Sequence, residues 1–402
     1  MHGTLKLFAP FAAALVMAAC NAGGSSVPPT IDKLTAEAPP VPQWQAKNLA
    51  HRACPEAGAG EVQCDLLILN KSPQGKVYGW GAPDIEAAYN LPSSSNGSGQ
   101  IVAIVDAYDN PNVANDLAVY RRHFGLPKAK FYKYNQDGQQ GHYPKGNTSW
   151  GAEIELDVDM VSASCPNCTI YLIEANDYNG RSIATAEREA AKLGAHIVSN
   201  SFGCVRCLGG RKILEKAFEM PGVTHVVSAG DRGYLTDLPM EFGSVVSVGG
   251  TVLSKSGSTY SEVVWPDTGG GCATHFAKPS WQHDPSCPAR TTNDVAAVAW
   301  NVAYYDTDGY GGWSSAGGTS IAAPIIAGVF GLAGNSGKQE GGETFWTLTE
   351  KQRQEDLHVI SSGSNGCPPL LRGSYLCVAG TEEFKTYSGP TGWGTPNGVG
   401  AF

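Results

Sequence analysis

IVAIVDAY, Ile101 to Tyr108, follows the turn-rich run SSSNGSGQ and precedes NVANDLAVYRRHFG at 112–125. A β-branched run bounded by glycine and serine reads as a buried strand, and the apolar spacing after it reads as a helix. The unit then repeats. SWGAEIELDVDMVSA (149–163) predicts a helix, TIYLIEA (169–175) a strand, GRSIATAEREAAKLGA (180–195) a helix and HIVSNSF (196–202) a strand. RKILEKAFEM (211–220) continues as a helix, with THVVSAGD (224–231) and VVSVGGT (245–251) as strands. Strands and helices alternating at these lengths predict an α/β fold with a central, mostly parallel sheet and helices on both faces. Sites in such folds gather at the carboxyl ends of the strands. Asp106, Asp231 and, in a turn beyond, Ser320 fall there, although each also suits a cap or turn.

With 402 residues the chain has length for one large core or two ordinary domains. Hydrophobic residues make up 42% and charged residues 16%, with 50 glycines, which points to a loop-rich, compact exported protein. A net charge of -9 and the lack of any basic run argue against nucleic acid as a partner. The N-terminus, MHGTLKLFAPFAAALVMAAC, has one lysine, a short apolar run and small residues before Cys20, the pattern of an export signal over 1–20. The run is too short for a good transmembrane span. MAAC resembles the lipobox of bacterial lipoproteins, in which the cysteine is acylated; an ordinary secretory signal cleaved nearby is the alternative. NAGGSSVPPT then reads as a tether, and residues 21–50 as disordered. The expected division is 1–20 signal, 21–76 tether and short N-terminal segment, and 77–402 one catalytic domain. The expected location is the bacterial cell envelope, lipid-anchored at the membrane, or the medium, with a monomer as the default.

Beyond Cys20 the remaining cysteines fall in neighbouring couples: Cys54 and Cys64, Cys165 and Cys168, Cys204 and Cys207, Cys272 and Cys287, Cys367 and Cys377. In an oxidising compartment local disulfides are the simplest reading. A competing one joins CPNC (165–168) and CVRC (204–207) in a four-cysteine zinc site.

GGTSIAAP (317–324) lies between GYGGWSSA and IIAGVFGLAG, so a glycine-rich turn delivers Ser320 to the first turn of an apolar helix. A serine so placed is a candidate nucleophile and needs a base. The HGT at 2–4 lies in the signal, and the other histidines sit in no comparable setting; His196 opens an apolar strand and reads as packed or capping. The helix after Trp150 offers carboxylates instead. Glu153 and Asp157 are i and i+4 on one face, and Glu155 and Asp159 pair on another. A solvated acidic helix is the plain reading, yet like charges at that spacing repel and no lysine or arginine relieves them, a cost that function would explain.

The ordered set E-x-x-L-D in a helix, SAGD, VSVGGT and GGTS with small residues and Pro324 resembles the sedolisin family of serine-carboxyl peptidases over residues 77–402. The resemblance implies a subtilisin-like three-layer fold and cleavage of protein or peptide substrates at acidic pH. It makes Ser320 the nucleophile, Glu153 the general base, Asp157 the acid that orients it, and Asp231 the aspartate of the oxyanion hole. An aspartate can donate there only while protonated, and a glutamate base works near its own pKa, so both point to acid. EDLHVISSGSNG and GPTGWGTPNG resemble the family's calcium-binding C-terminus, with Asp356 as the first carboxylate. Tyr387-Ser388 stands where the family has an aromatic-Asp pair, which leaves calcium to Asp356 with carbonyls, Glu382 or Glu383, against a plain turn or cap role. Arg232 replaces a small residue after Asp231 and, if it faced that carboxyl, would keep it ionised. The family's large prodomain has no counterpart between Cys20 and residue 77. A second hypothesis follows: a catalytically silent, surface-anchored binding module. Pocket walls would come from loops 232–244 and 301–316, with Trp313 lining a pocket or packing.

Overall fold

A computed structural model describes residues 42–70, 76–204, 206–207, 210–335 and 341–402. Cys20 and the export signal lie outside the described residues.

Ile101–Ala107 sits in the middle of the main sheet, buried at every position after the first. The parallel order runs from Val245–Ser256 through Thr224–Ser228, Ile197–Asn200, Ile101–Ala107 and Thr169–Ala175 to Lys130–Asn135. Thr259–Val264 adds antiparallel to the far end of Val245–Ser256, and Val295–Val298 pairs parallel along Val248–Thr251. Strands that carry helices on both faces lose water on both, which is why the central run Ile101–Ala107 is apolar almost throughout, while the edge strand Lys130–Asn135 is polar and partly exposed.

Helices Thr148–Ser164 and Thr319–Ala333 pack against each other and on one side of the sheet, while Gly180–Lys192 and Arg211–Phe218 pair on the other. Trp150–Ser164 and Thr319–Leu332 are buried throughout. Close approach of these two central helices depends on glycine: a Cβ on Gly328 would lie 2.0 Å from Ser164 Oγ. This is the predicted α/β arrangement, with the acidic helix placed in the interior rather than on a solvated face.

Two stretches differ from expectation. Residues 301–316, read as loop, form most of a hairpin, Trp300–Asp306 against Gly312–Gly317, whose turn is tied by Asp306 Oδ1 accepting from the Asp308 amide at 2.8 Å. Its glycines and tyrosines hide the strand pattern. Trp313 packs against Tyr120, His123, Phe124 and Tyr305. In the segment read as disordered, Gln43–Ala46 is helical, and Ala50–Arg52 pairs with Leu67–Leu69, which in turn pairs with Gly312–Gly317. Disulfides join Cys54–Cys64, Cys165–Cys168, Cys204–Cys207, Cys272–Cys287 and Cys367–Cys377, so the zinc reading falls because its sulfurs are bonded to one another.

Entry to Val295–Val298 is fixed by a fully buried ion pair. Arg290 Nη2 lies 2.8 Å from Asp294 Oδ2, the guanidinium also donates to the Phe242 and Val245 carbonyls, and Asp294 accepts the Ser247 amide at 2.9 Å. Removing one partner strands the other without water. Asp294→Ala is expected to cost about 3–5 kcal/mol, read as a lower urea midpoint at unchanged slope. A shift worth less than about 1 kcal/mol would contradict this role.

Candidate active site

Strand Gly312–Gly317 ends at Gly318, whose φ of 116° and ψ of 156° turn the chain into helix Thr319–Ala333. Only glycine fits: a Cβ would meet the Asp65 carbonyl oxygen at 2.0 Å and Asp231 Oδ2 at 2.9 Å. Ser320 is the second residue of the helix, so its amide has no intrahelical acceptor and points out of the positive helix end. Its hydroxyl donates to the Ser201 carbonyl at 3.3 Å. Pro324 lacks the N–H that would bond the Ser320 carbonyl, and the Ser201 hydroxyl approaches that carbonyl at 3.4 Å instead.

Asp231 stands beside this turn, fully buried, accepting from the Thr319 amide at 2.8 Å and the Thr319 hydroxyl at 3.1 Å. Burial pushes its carboxyl well above the usual aspartate range, and nearby Asp65 adds to the rise against Arg52 and the Thr319 bonds. The arginine that most opposes the rise is Arg52 rather than the adjacent Arg232. The Arg232 guanidinium donates to Gln63 Oε1 at 2.7 Å and bears instead on Asp65 and Asp237. A neutral Asp231 can donate a hydrogen bond.

Across from Ser320 runs the acidic helix, capped by Asn147 Oδ1, which accepts from the Ser149 and Trp150 amides. Glu153, Glu155, Asp157 and Asp159 are all fully buried. Asp157 Oδ1 accepts the Ser201 hydroxyl at 2.8 Å. Glu153 is raised well above the usual glutamate range by burial first, then by Asp157 and Asp106, with the Ser320 hydroxyl opposing the rise. Neither Glu153 oxygen accepts a hydrogen bond among the described residues, because the Ser320 hydroxyl is turned to Ser201. Rotation about the serine Cα–Cβ bond redirects it. Asp106, at the end of its strand, is pushed up to about 8 by burial, and both its oxygens lack hydrogen-bond partners among the described residues. Asp157 is likewise raised, by burial and by Asp106. The structure thus brings Ser320, Glu153, Asp157 and Asp231 together and adds Asp106 and Ser201.

Glu155 and Asp159 face elsewhere: Asn110 Nδ2 donates to Glu155 at 3.0 Å and the Tyr305 amide to Asp159 at 3.0 Å. Three of the histidines have partners of their own. His225 pairs with Glu187 at 2.9 Å inside the opposite layer, His275 lies 3.3 Å from Glu241, and exposed His196 meets the Gly222 carbonyl at 2.9 Å. The role of Ser201 was illegible in sequence because it acts through its carbonyl as much as its side chain. Asp65, fully enclosed near Asp231 with Oδ2 accepting the Ser228 hydroxyl at 2.7 Å, gave no signal either.

Among the described residues no cluster of three or more carboxylate, histidine or cysteine ligands is suited to a metal. The Asp356 carbonyl accepts the Asn397 amide at 2.9 Å, while Glu382 pairs with Lys385 and Ser388 with Thr391, both at 2.8 Å. Glu383 bonds Ser286. Glu382, Glu383 and Ser388 thus each have another side-chain partner.

The subtilase family model matches residues 131–366. Kumamolisin of Bacillus sp. (strain MN-32) is 27% identical, the match covering 79% of this chain and 61% of the relative. Sedolisin of Pseudomonas sp. (strain 101) is 24% identical, over 80% of this chain and 60% of that one. Human tripeptidyl-peptidase 1 is 24% identical over 78% and 62%. The chain therefore spans about three fifths of the length of the curated relatives it matches. A solved structure of Pseudomonas sedolisin, described as a serine-carboxyl proteinase complexed with pseudo-iodotyrostatin, superposes with a TM-score of 0.68 at 22% identity, covering 80% of this chain and 96% of that one. At that identity it supports the subtilisin-like three-layer fold.

Buried acids give the fold a pH signature. Asp106 rises from 3.8 to about 8, so between these values the folded chain holds a proton that the unfolded chain has lost. Its contribution is full below the unfolded pKa and is lost as pH rises through the folded one. Glu153 and Asp157 act in the same direction. The thermal midpoint is expected to fall from about pH 4 to about pH 8, and Asp106→Asn to flatten the slope. An unchanged slope in the variant would contradict the assignment.

Proposed function

The chain belongs to the subtilase family, on its sedolisin branch, and from that premise we propose that it is a serine-type endopeptidase working at acidic pH. The observation that carries the reading is a line of buried carboxylic acids facing a serine at a helix N-terminus, with His225, His275 and His196 engaged elsewhere.

Ser320 attacks the peptide carbonyl while Glu153 takes its proton. The oxyanion receives hydrogen bonds from protonated Asp231 and the Ser320 amide. Glu153 then protonates the departing amine as the C–N bond breaks, leaving an acyl ester on Ser320. Water, deprotonated by Glu153, cleaves that ester and restores both groups. Asp157, held by Ser201, orients Glu153. Closely packed acids cannot all ionise, so Glu153 carries the first negative charge only while Asp157 and Asp106 stay neutral and donate. Loss of that first proton sets the acid limb and deprotonation of Asp231 the alkaline limb, giving a bell-shaped profile.

Protein or peptide substrates and action as a monomer belong to this proposal. So do export, and anchoring at the bacterial envelope through acylated Cys20. Calcium held by Asp356 with carbonyl oxygens, Glu382 or Glu383 also belongs to the proposal, and none of the steps above is routed through it. Of the features that suggested a silent binding module, Arg232 is engaged by Gln63.

Hydrolysis of a denatured protein from about pH 3 to 8 is expected to peak on the acid side. Glu153→Gln should lower kcat on the order of a thousandfold, with the fold intact by circular dichroism. Ser320→Ala should abolish turnover. Retained activity in either variant would overturn the assignment.

A further inference from the structure

Although the chain carries a net charge of -9, the stretches 42–52, 66–70, 76–81, 249–256 and 299–305 contain no aspartate or glutamate. They hold Lys47, His51, Arg52, Lys76 and Lys255. The fold brings these stretches together around an open groove of about 370 Å³, lined by Leu49, Leu69, Tyr78, Trp80, Val252 and Trp300. Lys47 and Lys76 are exposed beside it. Lys255 is shared with Asp84 at 3.3 Å, and Arg52 bears inward on Asp65 and Asp231.

The aromatic rim is fixed in place. Gly79, at φ 108°, lies flat on the Trp300–Asp306 strand, where a Cβ would meet the Asn301 carbonyl oxygen at 2.6 Å. The Trp80 amide donates to that carbonyl at 2.8 Å, the Trp80 carbonyl accepts the Ala303 amide at 2.9 Å, and the Tyr78 carbonyl accepts the Ser315 hydroxyl at 2.6 Å. Trp80 is braced edge-on by Tyr260, with ring centroids 6.2 Å apart, and Trp300 stacks on Trp265 at 5.9 Å. Tyr78 remains 53% exposed.

Tryptophan and tyrosine, apolar in body and polar at one edge, settle at the boundary between lipid and water, and lysines beside them meet anionic headgroups. The way the chain enters the structure brings such a boundary to this face. Leu49 follows Pro42 by one short helix, Gln43–Ala46, and only residues 21–41 separate Pro42 from Cys20. A link of that length spans at most about 75 Å when fully extended. Contact with an anchoring surface is then intramolecular, at an effective concentration on the order of millimolar, so a modest patch is enough.

We propose that the face around Tyr78, Trp80 and Trp300 docks on an anionic phospholipid bilayer, the one in which acylated Cys20 is anchored. The rings sit at headgroup level, acyl segments fill the groove, and Lys47 and Lys76 meet phosphates. The proposal rests on the envelope anchoring above and not on the peptidase chemistry. It bears on what the site can reach. A Cβ on Gly317 would lie 2.5 Å from the Trp300 ring, so the docked face backs onto the turn that delivers Ser320 three residues later. Docking holds the cleft at the bilayer surface, toward proteins that lie there.

The mature chain with Cys20→Ser, so that no acyl group contributes, tests this by sedimentation with vesicles of phosphatidylglycerol and phosphatidylethanolamine in equal parts. Vesicles of phosphatidylcholine alone form the uncharged arm. Binding is expected to favour the anionic vesicles and to weaken as salt is added. Lys47→Glu and Lys76→Glu should each lower partition about fivefold or more, and Tyr78→Asp by a similar factor. Tyr132→Asp should leave it unchanged, since Tyr132 is 45% exposed but lies on the edge strand Lys130–Asn135 at the other end of the sheet. Absence of binding to anionic vesicles, or binding that all three variants leave intact, would overturn the inference. A lipid-free dimer that Tyr78→Asp dissociates would overturn it too, by making a second copy the occupant. Intact mass of the wild-type chain reads acylation separately: a bare Cys20 would overturn the anchoring and this inference with it. Hydrolysis, read as in the preceding subsection, keeps the peptidase reading apart from every one of these outcomes.

Discussion

Carboxylic acids buried without cations are the constraint on which this structure turns. Glu153, Asp157 and Asp106 lie where water cannot solvate charge, and each carboxylate would repel the next. Ionising such a group costs several kcal/mol, so the interior holds them mainly as neutral acids. The buried stretches Trp150–Ser164 and Thr319–Leu332 and the apolar centre of the sheet maintain that dryness. The same exclusion of water makes a single ionised carboxylate a strong base and a single neutral one a strong donor.

A second constraint is steric. At Gly318 the chain has to reverse direction while leaving room for Asp231 on one side and the Asp65 backbone on the other. No larger residue meets both conditions. The turn thus sets, at one point, the direction of the Ser320 helix, the position of the oxyanion donor and the path of whatever chain lies across them. Ser201 ties these together, since its carbonyl accepts from both Ser320 and Asp65 while its hydroxyl holds Asp157. Acid cluster and cleft are parts of one hydrogen-bonded unit.

Much of this was legible in the residue order. Alternating runs specify the parallel core because local period and burial agree there. Glu153, Asp157 and Ser320 stand out because an acidic i, i+4 pair among apolar residues and a glycine-serine turn before an apolar helix each break a local rule, whereas the role of Asp231 came only from the resemblance of SAGD to the sedolisin pattern. Their convergence depended on tertiary packing. Residues 301–316 were misread because glycine and tyrosine mask a hairpin stabilised by pairing rather than by propensity. Asp65 and Ser201 left no trace, since a main-chain amide and carbonyl look the same in every residue. Arg232 misled for a related reason: adjacency in sequence to Asp231 says nothing of direction, and the side chain turns to Gln63.

The seating of residues 63–68 and the protonation of the neighbouring acids are coupled through Asp65. Burial raises its carboxyl to about 6, opposed by the Ser228 hydroxyl, Arg52 and Arg232, while Asp65 in turn raises Asp231 and Asp237. A carboxyl whose pKa is raised in the seated form is seated best when protonated, and this preference fades as pH rises through about 6. Ionised near neutrality, Asp65 would face Asp231 and Asp237, whose carboxyls it already pushes up, with Arg52 and Arg232 opposing it, so the proton on any one of these buried acids depends on the charge of the next.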